Sequence, residues 1–512
     1  MTYINSNDYL DDFVTTYINN LIIKQNTGVT PDLQNIFTKK EYYELLSPVI
    51  ELIKTNQDES ITALRKELFS RSNILENIST IVNEGLTSGV EITMSTPNYK
   101  QNIIYGNTQD YIRNDSGLFI PKPIAMQGDT IFDLASVTKL FTSLAIMTIL
   151  EDNKDFSLDD ELVKYCPQFK YLSGITIYDL LTFRVPLISD GRIDDAKDYE
   201  EACSRLFNMK VNLKSAVLTP NISPYSDMGA MALKFVVESY TKTDFYTYLK
   251  ERILDKLSMK DTHVIVPFDD LKRCVNTDYA GIINASGELK IRPEHGIGNI
   301  YDDKARIMQQ GPNGHKELSG HAGLFSTTND MSKLANSLIE GTIISEKLRN
   351  EMATNRTGRT YIDSDGNLKL RNYFGYLVYS KHPLSQAELW APVSGRSIAS
   401  AGWLGNYLGI DPLNGTSIFI GANKANARLT QISPSQKELL TTKANGISGI
   451  KLDNNYFMVN SSRYAWVKDD LLVRPCTKLL LQYRMLEDFY QLKDNLIEES
   501  TTNLNQQKNI TK

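Results

Sequence analysis

One stretch of this chain can be placed before anything else about it is known. From Leu140 to Leu150 it reads LFTSLAIMTIL, apolar around almost the whole helix, and it is entered through Ser136-Val137-Thr138-Lys139. A helix without a polar face has to lie inside the protein, covered on every side. Whatever fold the chain adopts must wrap around this segment. A serine and a lysine three residues apart share one helix face, so the ammonium can reach the hydroxyl. Burial disfavours a charged, unpaired lysine and lowers its pKa, and such a lysine can act as the base that activates the serine. An S-x-x-K also arises by chance as a solvated helix start with serine as N-cap. The apolar Ile131-Phe132 before the pair and the apolar helix after it do not suit a surface position.

The bulk properties exclude several classes. A length of 512 residues allows two to four domains' worth of core. The net charge of -6, without a basic stripe, argues against nucleic acid or an anionic membrane surface as partner. The N-terminus lacks the charged and apolar regions of a secretory signal, and no stretch is long and apolar enough to span a bilayer. Cys166, Cys203, Cys274 and Cys476 are widely spaced and read as reduced, buried thiols of a cytoplasmic protein. His263, His295, His315, His321 and His382 form no H-x-x-x-H or H-E-x-x-H pair, so neither a metal nor another cofactor is expected. A G-x-S-x-G elbow and a Walker loop are also absent from the sequence.

Residues 1–85 have helical periodicity, with Leu10, Phe13, Ile18, Leu21 and Ile22 and then Leu45, Leu46, Val49, Ile50 and Ile53. Strand-like pieces follow at Val90 to Met94 and Ile103 to Tyr105, with turn residues between them. After the buried helix comes a helical, loop-rich region, with a Gly-, Asn- and Asp-rich part at 276–330 that suits long active-site loops. Strand patterns return at Tyr373 to Tyr379, Ile398 to Gly402, Leu408 to Ile410, Ser417 to Ile420 and Tyr456 to Val459. A last helix from Thr477 to Glu498 leads into a polar tail, 499–512, expected to be disordered. This order predicts an α+β fold: an antiparallel sheet assembled from both ends of a domain at 86–498, flanked by helices, with an all-helical lobe inserted at about 140–330. The first 85 residues form a helical extension that could cap a cleft or join copies of the chain.

A second candidate site element is Pro224-Tyr225-Ser226-Asp227, where a tyrosine on a loop held by proline could project its phenol toward a lysine and relay a proton. Five blocks then occur in one order: TIFDLASVTK, ITIYDLLTF, YSD before a helix, ILDKLSMKDTH and SGHAGLFSTTNDMSKLANSL. Together they resemble the serine β-lactamase-related family, which includes class C β-lactamases, D-alanyl-D-alanine carboxypeptidases and related esterases. The resemblance covers roughly residues 85–435.

It implies Ser136 as the acylated nucleophile, Lys139 as its base, Tyr225 as a second base, and Asp227 lining the cleft beside Lys139. The family's third motif, Lys/His-Thr/Ser-Gly on an edge strand, has its counterpart in Ser400-Ala401-Gly402-Trp403. Gly402 would let substrate approach the strand closely. The backbone N–H groups of Ser136 and Trp403 would form the oxyanion hole. Two departures stand out. Ser400 replaces the usual cation, which weakens any grip on a substrate carboxylate. Phe183-Arg184-Val185-Pro186 replaces a His-Thr-Ser-Gly turn, where Arg184 is either a substitute cation or a structural arginine. His321 resembles a family residue near the cleft. The expectation is a serine hydrolase, an esterase or amidase on a small acyl or D-amino-acid-type compound. An acyltransferase using the same acyl-enzyme and a silent binding protein of the same fold are the alternatives.

Overall fold

Alternation along the strands shares the side chains of one sheet between two large cores. In the computed structural model, residues 6–510 are described apart from 30–35, 57, 116–118, 214–224, 279–281, 284–288, 291–294, 313–315, 357–359, 363–365, 367, 371–372, 383–387, 427–446, 453–454 and 462. Strands β1 (Gly89–Thr96), β2 (Tyr99–Arg113), β3 (Phe119–Ala125), β4 (Tyr379–Ser380), β5 (Ile398–Ala401), β6 (Tyr407–Asp411) and β7 (Thr416–Ala422) form one antiparallel sheet. Its order is β4-β5-β6-β7-β1-β2-β3, so the late strands join the early ones where β7 meets β1, with Ile92 opposite Ile420. Because successive side chains point to opposite faces, Ile398 and Phe419 enter one core while Ala399, Ile418 and Ile420 enter the other.

The first core is built on the apolar helix, α5 (Thr138–Asp152), in which every side chain from Thr138 to Ile149 is buried. The helical lobe between the two sets of strands surrounds it, with Ala230, Met231, Leu233 and Val237 packed in the same cluster. The second core covers the opposite sheet face with helices from both chain ends: α1 (Ser6–Asn26), α2 (Lys39–Thr55), α3 (Ile61–Ser70), α4 (Ile74–Asn83) and the long terminal helix. Arg65 of α3 is bound to Glu487 at 2.5 Å, Thr96 at the end of β1 donates to the same carboxylate, and the Arg65 guanidinium lies 4.4 Å from the centre of the Tyr99 ring. The described N-terminal helices are thus part of the sheet's hydrophobic support, on the face opposite α5. Their amphipathic periodicity reported an apolar stripe, but not which sheet face the stripe meets.

Two expectations are corrected. The terminal helix runs from Arg474 to Ile510 and takes in most of the segment read as a disordered tail; once a buried helix is nucleated, a polar sequence can propagate it. Between Tyr373 and Tyr379 the strand is confined to β4, because Leu377 takes a left-handed φ of +54° that breaks extension. The four cysteines are free and buried, and no described helix is long and apolar enough to cross a membrane.

Candidate active site

The turn into the central helix is built by a buried carboxylate. Asp133 accepts the Ala135 N–H at 2.9 Å and the Tyr301 N–H at 2.8 Å, and its burial pushes the carboxyl pKa up to about 6. Ala135 sits at φ +47°, a left-handed conformation that costs a residue with a Cβ on the order of 1 kcal/mol or more. From Thr130 to Ile149 every residue is buried except Ser136, which keeps partial access to solvent.

Lys139 is nine-tenths or more buried and faces three acceptors: Ser136 Oγ at 2.9 Å, the His321 carbonyl at 3.2 Å and Asp227 Oδ1 at 2.8 Å. Three acceptors match the three N–H donors of an ammonium. Burial pulls the lysine pKa down, but the charge of Asp227, with a contribution from Tyr225, outweighs it and leaves the pKa raised. The balance between burial and pairing, which the sequence left open, falls on the side of the charged form, because the buried ammonium is accompanied by a paired carboxylate. Asp227 opens helix α6 (Asp227–Thr241), where the first-turn N–H groups favour an anion. Burial would raise its pKa, yet Lys139, His321 and Lys304 together hold it well below the usual carboxylate range.

Tyr225 is held by aromatic rings. Its ring stacks on Phe183 at 5.0 Å and lies 5.9 Å from Phe374, and the Lys139 ammonium is 4.9 Å from its centre. It remains 45% exposed. Pro224, expected to fix it, lies outside the described residues.

The third element arrives from the sheet. The β5 strand lies next to the short edge strand β4, and it carries Ser400, buried and paired in register with Leu408. A Cβ on Gly402 would stand 2.5 Å from the Leu134 carbonyl oxygen and 3.5 Å from the Ala135 Cβ. Glycine at this position therefore permits a close approach to the turn carrying Ser136. Asn406 Nδ2 donates to the Asp133 carbonyl at 2.7 Å and locks the two elements together. Trp403 follows, 49% exposed, its N–H without a backbone acceptor among the described residues. The Lys424 ammonium sits 3.7 Å over the Trp403 ring, and burial pushes its pKa down to about 7.

His321 belongs to the site through its main chain, whose carbonyl accepts from Lys139. Its ring faces Asp302 beside Asp227, with Nδ1 3.0 Å from Ser319 Oγ and Nε2 3.0 Å from Asp302 Oδ1. Arg184 stays outside the cluster: it is exposed, donates to the Arg356 carbonyl at 3.0 Å and covers the Tyr178 ring. Sequence reasoning passed over Lys304 and Asp302, although YDDKAR is a dense charge cluster inside the loop-rich region read as an active-site wall. Lys304 Nζ lies 3.2 Å from Asp227, 3.3 Å from Asp302 and 3.3 Å from Asp194. Asp227, Asp302 and His321 bring a ligand atom each within 4.8 Å of one another, and the Lys304 ammonium lies against the two carboxylates.

A Salmonella typhi protein named "Putative D-alanyl-D-alanine carboxypeptidase" is 24% identical over 395 residues, covering 70% of this chain and 80% of its own. EstCE1, described as a hydrolase with promiscuous acyltransferase activity, superposes with a TM-score of 0.50 at 16% identity over 70% of this chain and 94% of its own. The D-amino acid amidase of Ochrobactrum anthropi SV3 superposes with a TM-score of 0.48 at 19% identity, over 70% and 92% of the two chains. The Beta-lactamase family model matches residues 120–437, more than half of the sequence and all of the site just described. The chain belongs to the beta-lactamase family and is a serine hydrolase.

Proposed function

We propose that the protein hydrolyses a small ester or amide through an acyl-enzyme on Ser136. The observation that carries this reading is the Ser136 hydroxyl, alone in reaching solvent along a buried segment and 2.9 Å from a lysine ammonium. In the reactive form Lys139 has given up one proton and its amine takes the Ser136 Oγ proton as Oγ bonds to the acyl carbon. The carbonyl oxygen becomes an oxyanion facing the Ser136 and Trp403 N–H groups. Collapse breaks the bond to the leaving group, which takes its proton from Lys139 or from the Tyr225 hydroxyl. Water, activated by the same groups, then attacks the acyl carbon and regenerates Ser136.

With Ser400 in place of a cation and Arg184 engaged elsewhere, the best substrates are those that need no carboxylate held on that strand: short-chain esters, or amides of a D-amino-acid type. The carboxypeptidase name of the Salmonella relative supports the amide branch. Acyl transfer to an alcohol is the second outcome that the same acyl-enzyme allows.

A fluorophosphonate probe followed by intact mass tests the reading, with hydrolysis measured on p-nitrophenyl esters, D-alanyl peptides and nitrocefin, with and without added alcohol. One adduct on Ser136, lost in Ser136→Ala, is expected. A native protein that takes no adduct while a labelled relative does would mean a silent binding protein.

A further inference from the structure

Lys304 stands one carboxylate away from Lys139. Asp227 is shared between them, Oδ1 at 2.8 Å from Lys139 Nζ and Oδ2 at 3.2 Å from Lys304 Nζ. Lys304 is itself held on two further sides by Asp194 and Asp302, and only 17% of its side chain is exposed, so little water screens its charge. The other groups facing the pair are also placed. Tyr225 and the Ser136 hydroxyl lie against Lys139, and the His321 ring faces Asp302. Asp303, on the same short helix as Lys304, turns to Arg306 at 2.8 Å and His295 at 3.5 Å. A carboxylate engaged by two ammonium groups stabilises each less than it would stabilise one alone, and a nearby like charge disfavours the charged form.

We propose that Lys304 is a positioning residue that sets the proton affinity of Lys139 through their shared Asp227, holding the carboxylate in place while easing loss of the Lys139 proton. The proposal rests on Lys139 being the base for Ser136. It answers a problem the site poses: the Asp227 that orients Lys139 also holds it in the protonated form. A second cation on Asp227 keeps the orientation and weakens that hold. Asp194 and Asp302 temper the effect by drawing Lys304 the other way.

The test is the pH profile of kcat/KM for p-nitrophenyl acetate in the wild type, Lys304→Gln, Lys304→Arg and Asp194→Asn. In Lys304→Gln the acidic limb moves up by about one pH unit, a loss of about tenfold at pH 7 that is recovered at high pH. Lys304→Arg keeps the wild-type limb, and Asp194→Asn, which frees Lys304 to act on Asp227, moves it down by about a few tenths of a unit. A limb that stays put or moves down in Lys304→Gln, or a loss equal at every pH, overturns the proposal. If Lys304→Gln does not fold, the Asp194→Asn shift decides alone, and an upward or absent shift is the refuting result. Hydrolysis by Ser136→Ala at the wild-type rate would instead bring down the acyl-enzyme reading, and this proposal with it.

Discussion

Replacing Gly402 by alanine adds a single methyl group at a contact where the sheet meets the nucleophile turn. The new Cβ would lie 2.5 Å from the Leu134 carbonyl oxygen, whereas real Cβ contacts are essentially never under 3.0 Å, so one element must retreat by at least ~0.5 Å. Neither is free to do so without cost. The Leu134 carbonyl accepts the Val137 N–H at 3.1 Å, and the Gly402 N–H donates to the Asn406 carbonyl at 2.8 Å. Overpacking of this kind costs about 1–3 kcal/mol. The larger effect should fall on the chemistry, because Ser136 lies two residues beyond the displaced carbonyl and a misplacement of about 1 Å costs about 100-fold in rate. We expect Gly402→Ala to lower kcat/KM for a p-nitrophenyl ester by about tenfold or more, mostly in kcat, with a drop in Tm of only a few degrees. Stopped-flow acylation and differential scanning fluorimetry on the same preparation separate the two effects. Wild-type kinetics with an unchanged Tm would show that the turn does not depend on this contact.

Lys139→Ala should reduce ester turnover by about 100- to 10,000-fold while leaving the circular dichroism spectrum unchanged; near-wild-type rates would place the base elsewhere. Since Asp227 leaves the Lys139 pKa raised, wild-type activity should keep climbing from pH 6 through pH 9, and a plateau below pH 7 would contradict a charged resting lysine. Arg65→Ala removes one of the two arginines on the buried Glu487, which keeps Arg484 at 2.8 Å and the Thr96 hydroxyl, and should cost about 2 kcal/mol in urea unfolding. Only a few tenths would mean that α3 is a loosely attached appendage. Burial pushes the Glu91 pKa up from 4.5 to about 7, against the hydrogen bond from Thr328. Here the folded state binds the proton more tightly, so this contribution is complete below pH 4.5 and fades as pH rises toward 7. It is worth up to about 3 kcal/mol. Glu91→Gln should therefore flatten the loss of stability between pH 5 and pH 8, and an unaltered pH dependence would refute it.

The sequence by itself determined the buried helix and the nucleophile at its mouth. Eleven consecutive positions with no polar face leave an interior location as the only favourable one, and helix geometry alone brings Lys139 within reach of Ser136. The antiparallel sheet drawn from both ends was legible too, because alternation is local and the strands come in two groups. What is not local could not be read. The protonation of Lys139 depends on Asp227, 88 positions away in the sequence (227 − 139), and the balance between burial and pairing exists only once both are placed. The reason for glycine at 402 lies in a carbonyl at 134, and the Lys304 cation gains its meaning from Asp194 and Asp227, carboxylates on two other segments, together with its neighbour Asp302. Helical periodicity in the first 85 residues announced an apolar stripe, but a stripe carries no address; only packing decided that it backs the sheet on the face opposite α5. Local pattern fixes which atoms can do chemistry, while charges and contacts that fall off with distance in space, not in sequence, decide the state those atoms are in.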